Sequence, residues 1–244
     1  CLLALSLVAF ASTAVADGSA ENWPQWRGPS ANGVSVSTGL PTEWSAEDNI
    51  VWKTELPSWS GGTPIIWGDK IFVTSPSKPE PREAAEEAEP NEGRSGRRGG
   101  RRGGRGGGGR GPGGDDLLVI CLSRTDGEIL WQHKLDSGNE LHRKGNRSSP
   151  SPVTDGTHVW VVTGTGSVTA LGMDGQLLWQ HNLQEKFGEF GILWGYASSP
   201  LLFDDMLVIE VLHGFNTDDP SYIVAFDKTT GEMRWRVELS LIHI

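Results

Sequence analysis

The sequence predicts an all-β protein built from four-stranded blades, a partial β-propeller. Three segments share the same order of short apolar strands and turns, and in the last two segments this order recurs after 48 residues. Each segment ends in a strand that carries a Trp, in a chain with 11 Trp and only 2 Tyr. A repeat of this length is typical of sheets arranged around an axis. A β-sandwich is the alternative, but it gives no reason for a Trp at matching positions.

The first half of each repeat begins at a proline and predicts a strand, a tight turn and a second strand. The seventh and ninth positions after the proline are aliphatic, and Asp or Gly separates the two apolar stretches. Apolar residues two apart face the same side of a strand. The prolines are Pro64, Pro152 and Pro200, and the aliphatic positions are Ile71, Val73, Val159, Val161, Leu207 and Ile209.

The second half of each repeat predicts a hairpin whose second strand carries the Trp. The three copies are residues 121–131, 170–179 and 225–235. A glycine closes each turn, where it supplies the positive φ that such hairpins need. The Trp at the end of each copy predicts a packing role: its ring fills the gap between neighbouring sheets and its indole N–H bonds a backbone carbonyl. The glycines are Gly127, Gly175 and Gly231, and the tryptophans are Trp131, Trp179 and Trp235.

The first repeat contains an insertion at residues 76–114. Pro64 and Pro152 are 88 residues apart, and removing the 39 residues of the insertion leaves 49, close to the repeat length. The insertion is acidic over 79–92 and rich in Arg and Gly over 95–111, a composition that cannot bury a core and predicts a disordered loop. Arg-Gly tracts also bind RNA or other anionic polymers, which is the alternative interpretation.

The repeats are expected to occupy residues 50–239, after an N-terminal extension at 17–49. Residues 50–56 (IVWKTEL) resemble the last strand of each repeat but lack preceding strands. We therefore expect them to be the outer strand that closes the ring of a complete propeller. Cys121 lies in an apolar strand and is predicted to be a buried, unreactive thiol.

Both ends of the chain carry separate expectations. Residues 1–16 read as an N-terminally incomplete signal peptide, because a short apolar run ends in small residues at Ala14 to Ala16. The run is shorter than the roughly 20 residues needed to span a bilayer. Residues 239–244 resemble the translation of a sequencing-library adaptor and are expected to be an artefact. The net charge of −10 argues against a nucleic-acid partner.

The last repeat resembles the pyrroloquinoline-quinone (PQQ)-type propellers. It matches their motif A-x-D-x-x-T-G-x-x-x-W at every fixed position, while 121–131 keeps only the Gly and Trp and 170–179 is one residue shorter. Residues 21–35 resemble the start of exported PQQ-like repeat proteins of planctomycete-type bacteria. The resemblance implies eight blades, so that this chain would be a fragment. The matching residues are Ala225, Asp227, Thr230, Gly231 and Trp235.

The resemblance implies two kinds of function. Quinoprotein dehydrogenases hold PQQ on the axis with Ca²⁺, a catalytic Asp and often a Cys-Cys pair, whereas the outer-membrane assembly lipoproteins are scaffolds without a cofactor. This sequence has no Cys-Cys pair. We expect a non-catalytic binding or scaffold module that is monomeric when complete. Its expected location is the periplasm or cell envelope of a Gram-negative-type bacterium, and its expected partners are envelope proteins or polysaccharides. The alternative is a PQQ- and Ca²⁺-dependent dehydrogenase whose site lies largely in other blades.

No catalytic, cofactor-binding or metal-binding residue is assigned from the sequence. Asp204-Asp205 falls on a repeat turn, where turn formation explains it, whereas Asp218-Asp219 lies in a loop outside the repeat and is the more open candidate. His133 and His181 follow Trp131 and Trp179 by two residues and are interpreted as strand surface positions. His142 lies in a basic loop at 141–147 that we expect to face the axial mouth.

Overall fold

The computed structural model describes residues 22–80, 113–142, 145–192, 195–213 and 217–239. Within these ranges the chain forms three four-stranded antiparallel sheets and one two-stranded hairpin. The predicted signal peptide at 1–16, most of the predicted insertion and residues 240–244 lie outside the described residues. No helix in the described part of the chain is long and apolar enough to cross a membrane.

The three sheets are the predicted blades. Blade 1 contains β1 (Ile65–Trp67), β2 (Lys70–Pro76), β3 (Leu117–Ser123) and β4 (Ile129–Asp136), and a hairpin of β5 (Leu141–His142) and β6 (Gly145–Asn146) follows. Blade 2 contains β7 (Val153–Thr154), β8 (His158–Val162), β9 (Ser167–Gly172) and β10 (Leu177–Asn182), and helix α1 (Leu183–Phe187) follows. Blade 3 contains β11 (Leu201–Phe203), β12 (Met206–Val211), β13 (Ser221–Asp227) and β14 (Met233–Leu239). In each blade neighbouring strands pair in chain order, so the prediction of three blades in a partial propeller is confirmed.

The first strand of each blade lies nearest the propeller axis. β1 contacts β7, and β7 contacts β11, so the three blades converge at these strands. Within its own blade, each of these strands pairs on one edge, with the second strand. The other edge of β1, β7 and β11 therefore faces the axis.

Two layers of the core lie between adjacent blades, and a third, smaller cluster lies on the other side of blade 1. The middle strand β8 contributes to both layers, because alternate residues of a strand face opposite sides. Val159 and Val161 pack with Phe72 and Val119 of blade 1. Trp160 and Val162 pack with blade 3, in a cluster that also contains Leu207, Ile209, Val224 and Phe226. Burial on both sides explains why β8 reads as an uninterrupted apolar run.

The repeated Trp residues join one blade to the next. Each ring lies against the glycine that closes the last turn of the following blade, and each indole N–H donates to a backbone carbonyl of that turn at 2.9–3.1 Å. Trp235, at the equivalent place in blade 3, is 39% exposed because no described blade follows it. The three contacts are Trp52 with Arg124 and Gly127, Trp131 with Met173 and Gly175, and Trp179 with Lys228 and Gly231.

Residues 50–56 have no strand partner among the described residues, so their predicted role in completing the last blade of a closed ring stays a prediction. A strand needs a hydrogen-bonded neighbour. The side chains of residues 50–56 nevertheless contact blade 1. Thr54 donates to the carbonyl of Gly127 at 2.6 Å, and Leu56 packs against the apolar cluster that contains Ile120 and Leu122. The segment therefore makes the side-chain contacts of an outer strand without the backbone ladder.

The insertion is shorter than the predicted 76–114. Pro76 is the last residue of β2 and pairs with Leu117. Beyond it, the Ser77 N–H donates to the Asp116 carbonyl and the Gly114 N–H to the Ser77 carbonyl, each at 2.7 Å. The β2–β3 hairpin therefore continues past both predicted boundaries.

Replacing residues 81–112 by Gly-Ser-Gly should leave the blades folded. The residues that form the described cores lie outside this segment, and each halving of a loop lowers its closure cost by about 0.6 kcal/mol. We expect an unchanged far-UV circular dichroism spectrum and an unfolding free energy in urea that is equal or about 1–2 kcal/mol higher. Loss of the β spectrum would contradict this prediction.

Gly231→Ala should destabilise the chain more than Gly68→Ala. Both glycines have a positive φ, +74° and +58°, so both variants carry the backbone penalty. Only at position 231 would the added Cβ meet a ring, 2.7 Å from Cδ2 of Trp179, whereas nothing lies within 4 Å at Gly68. We expect an additional loss of about 1–3 kcal/mol for Gly231→Ala in urea unfolding. An equal loss of unfolding free energy in the two variants would show that the contact between Gly231 and the Trp179 ring does not contribute to stability.

Candidate functional site

The N-terminal extension adds a segment to the axial edge of blades 1 and 2. Trp23 forms an antiparallel bridge with Ile66 of β1, with N–H to carbonyl distances of 2.8 and 2.9 Å. The next carbonyl, that of Pro24, accepts from the N–H of Thr154 in β7 at 2.9 Å. Because these bonds lie on the edges that face the axis, the segment lines the axial channel. From the sequence, residues 17–49 are predicted only as an N-terminal extension of the repeats.

The segment runs along the inner edge from one face of the blades to the other. At one end the Asn22 side chain accepts from the N–H of Gly68, in the β1–β2 turn, at 2.8 Å. At the other end Trp26 lines the same cavity as Gly61, in the loop before β1. After Trp26, Gly28 approaches the Trp23 ring so closely that an added Cβ would lie 2.8 Å from ring carbons. This contact folds the segment back after Trp26.

A cavity of about 760 Å³ lies where this segment reaches the loops before the blades. Its volume is in the range of small-molecule sites. The wall combines loop residues of three blades with Trp26, whose side chain is 55% exposed. The wall residues used below are Trp26, Gly61, Gly145, Ser149, Ser151, Gly195, Ser199 and Glu210.

A repeated hydrogen bond crosses from blade to blade in this wall. The residue before the repeat proline is Thr63, Ser151 or Ser199. The N–H of Thr63 donates to Oγ of Ser151, and the N–H of Ser151 donates to Oγ of Ser199, each at 2.9 Å. In the same wall Ser149 Oγ accepts from the N–H of Asn146 at 3.1 Å. These three serine oxygens are therefore held as acceptors, which fixes their positions at the cavity.

His142 lies beside this cavity rather than in its wall. It belongs to β5, and an added Cβ at Gly195 would lie 2.6 Å from Cδ2 of its ring. Gly195 lines the cavity, so His142 supports the wall from behind. The Glu140 carboxylate lies 3.8 Å from its Nε2.

The interpretation of His181 as a strand surface position was wrong. Its Nε2 lies 2.7 Å from the carbonyl oxygen of Gly231, and its ring lies 5.4 Å from those of Trp179 and Phe226. Residues two apart share one face of a strand, so the face that carries Trp179 to blade 3 also carries His181. His133 takes the corresponding place on β4 and is half-buried.

The two Asp pairs hold loops together. Asp204 has a φ of +53° in the turn between β11 and β12, and the Asp205 carbonyl accepts from the N–H of Lys228 at 2.9 Å. Asp219 accepts from the Glu189 N–H at 3.2 Å and from the Thr217 hydroxyl at 3.1 Å. Among the described residues, no group of three or more His, Cys, Asp or Glu is placed to hold a metal ion.

Cys121 is buried and free, as predicted. Its side chain is 0% exposed between blades 1 and 2. Burial raises the pKa of its thiol to about 12, so the reactive thiolate is absent at neutral pH.

A buried histidine that the sequence analysis did not single out lies between Phe190, in the loop after α1, and Tyr222 of β13. His213 is 4% exposed, and its ring lies 5.9 Å from Phe190 and 5.8 Å from Tyr222. Neither ring nitrogen has a hydrogen-bond partner among the residues described. Arg236 lies over the Tyr222 ring, 4.7 Å from its centroid. The loop that places His213 lies outside the repeat pattern, so no periodic signal marked it.

Stability should fall in mild acid because of His213. Desolvation lowers the pKa of its imidazole; the Asp219 charge opposes this and the Arg236 charge adds to it. As pH falls below about 6.5, the unfolded chain therefore binds a proton that the native chain does not. The free energy of unfolding then decreases by at most about 1.4 kcal/mol per pH unit. Above that pH the contribution of His213 is constant.

His213→Phe should remove this loss, and His133→Gln should keep it. The measurement is the free energy of unfolding in urea between pH 5 and 7.5. An unchanged pH dependence in His213→Phe would contradict the assignment.

Comparison with known proteins places the chain in a family. A family profile described as outer membrane protein assembly factor BamB matches residues 19–189 and, in a second match, 115–241. No curated protein sequence matches significantly.

Solved structures with a similar fold are larger propellers. Quinohemoprotein alcohol dehydrogenase from Comamonas testosteroni is 15% identical, with a TM-score of 0.53, and the match covers 89% of this chain and 27% of that one. BamB from Moraxella catarrhalis is 18% identical, with a TM-score of 0.44, and the match covers 78% of this chain and 44% of that one. This chain thus spans about a quarter to a half of their length, and at such identities the likeness concerns the fold alone. Because the family profile covers most of the residues, the chain belongs to the PQQ-like, BamB-type β-propeller repeat family.

Proposed function

We propose that the chain is part of an exported propeller that acts as a non-catalytic binding and scaffold module. The observation that carries the proposal is the N-terminal segment on the axial edge, where Trp23 pairs with β1 and Pro24 with β7. A quinone cofactor in this family's dehydrogenases needs space on the axis. In this chain backbone occupies the part of the axial edge that blades 1 and 2 provide.

The wall of the axial cavity also fits a binding module better than a Ca²⁺–quinone site. Calcium takes six to eight oxygen ligands, several of them carboxylates. Among the described wall residues Glu210 is the single carboxylate, and the others are small, hydroxyl-bearing or apolar. These residues do not fit the PQQ and Ca²⁺ that the family resemblance implies, so no redox step is derived through them.

Export and envelope partners are parts of the same proposal. They rest on the signal-like residues 1–16 and on the family description as an outer membrane assembly factor. Propellers offer loops of several blades on one face, and such a surface suits proteins or polysaccharides. On the described blades that face includes the long connections before β7 and β11.

A cofactor titration tests the proposal. The full chain is mixed with PQQ and Ca²⁺, and binding is followed by calorimetry and dye reduction with alcohols and sugars. A quinohemoprotein alcohol dehydrogenase freed of PQQ is the positive control. We expect no stoichiometric PQQ binding and no dye reduction by the chain. Tight binding of one PQQ per chain would overturn the proposal in favour of a dehydrogenase.

A further inference from the structure

We propose that the axial cavity binds a neutral saccharide, with Trp26 as the stacking face for one sugar ring. This inference rests on the proposed binding function and adds the chemical class of the ligand. It depends on the hydroxyl groups of the wall, the charge of the wall and the exposure of Trp26.

Three serine hydroxyls in the wall have their oxygens held in place, and their O–H groups remain available to donate hydrogen bonds to a ligand. Oγ of Ser149, Ser151 and Ser199 each accepts one backbone N–H at 2.9–3.1 Å. Within the described ranges none of the three donates a hydrogen bond to another protein group. Three hydroxyls whose oxygens are fixed at one cavity suit a ligand that is rich in acceptor oxygens, because each O–H can rotate to donate while the held oxygens reduce the ordering cost of binding.

The described part of the wall carries one charged side chain, that of Glu210. Phosphates and carboxylates are bound by Arg or Lys in fixed positions, and neither residue type is among the described wall residues. Glu210 gives the wall a negative charge. Because hydroxyl groups can donate to a carboxylate, this residue favours a neutral polyhydroxylated ligand over an anionic one.

Trp26 provides the apolar surface that a sugar ring needs. Its side chain is 55% exposed although it lines the cavity. The Arg27 guanidinium lies over the indole, 4.9 Å from its centroid, so the arginine covers part of the ring and holds its orientation. The C–H groups on one face of a pyranose pack against such a ring while its hydroxyls reach the polar wall.

Two glycines let the backbone approach this site. An added Cβ would lie 3.0 Å from Ser149 Oγ at Gly61 and 2.8 Å from it at Gly145. Any side chain at these positions would displace the Ser149 hydroxyl. The wall is thus built around that hydroxyl.

Isothermal titration with defined oligosaccharides tests the inference. The full chain is titrated with maltohexaose, cellohexaose and chitohexaose, and with hexagalacturonate as the anionic counterpart. We expect at least one neutral hexasaccharide to bind, and hexagalacturonate to bind about tenfold more weakly or not at all. Trp26→Ala should weaken binding about tenfold, and Trp26→Phe should restore part of it. Trp44→Ala is the matched control, because Trp44 is 69% exposed and lies outside the cavity.

The outcomes separate this inference from the proposed function. If no neutral oligosaccharide binds up to about 10 mM, or if Trp26→Ala binds as the unchanged chain does, the saccharide site is wrong. A negative PQQ titration would still leave the binding module in place. Stoichiometric PQQ binding would instead overturn the proposed function itself. Unchanged circular dichroism of each variant confirms that a loss of binding is not a loss of folding.

Discussion

The contact between a Trp ring and the glycine of the next blade is the constraint on which the architecture depends. A glycine with positive φ permits a tight turn and, having no Cβ, leaves room for the ring. The indole N–H then satisfies a turn carbonyl, as Trp179 does for Lys228 at 3.1 Å. Each blade is thereby placed relative to its neighbour by one bulky side chain. The apolar layers between the blades, such as that around Trp160, pack within the spacing that results.

On the axial side, a second set of repeated contacts performs a similar task with polar groups. The bond from the N–H of Ser151 to Ser199 joins the loops of consecutive blades, while Trp23 and Pro24 join the inner strands of blades 1 and 2. The two serines also line the cavity. Structural and binding roles therefore overlap at this site, and substitutions of the serines would change both.

Much of the fold could be predicted from the sequence because it repeats. The alternating apolar positions and the repeated Trp assigned the strands to three blades. The spacing between the repeat prolines located the insertion within the first blade. The ring-closing role of residues 50–56 stays a prediction, since strand formation there requires the neighbouring strands of a last blade. The candidate site was largely missed. Its residues, from Trp26 to Glu210, are far apart in the chain and share no motif, and His181 was misassigned because its neighbour in the next blade was not considered.

The sequence by itself determined the blade pattern, the turn glycines, the buried Cys121 and the family. Each of these follows from strand and turn positions that recur at a fixed interval along the chain. Only the tertiary structure decided that the N-terminal segment lines the axis, that three serine hydroxyls meet at one cavity, and that His213 is buried among aromatic rings. The physical reason is that these contacts join single, non-repeated residues across blades. Their pairing depends on where the Trp contacts place each blade in space.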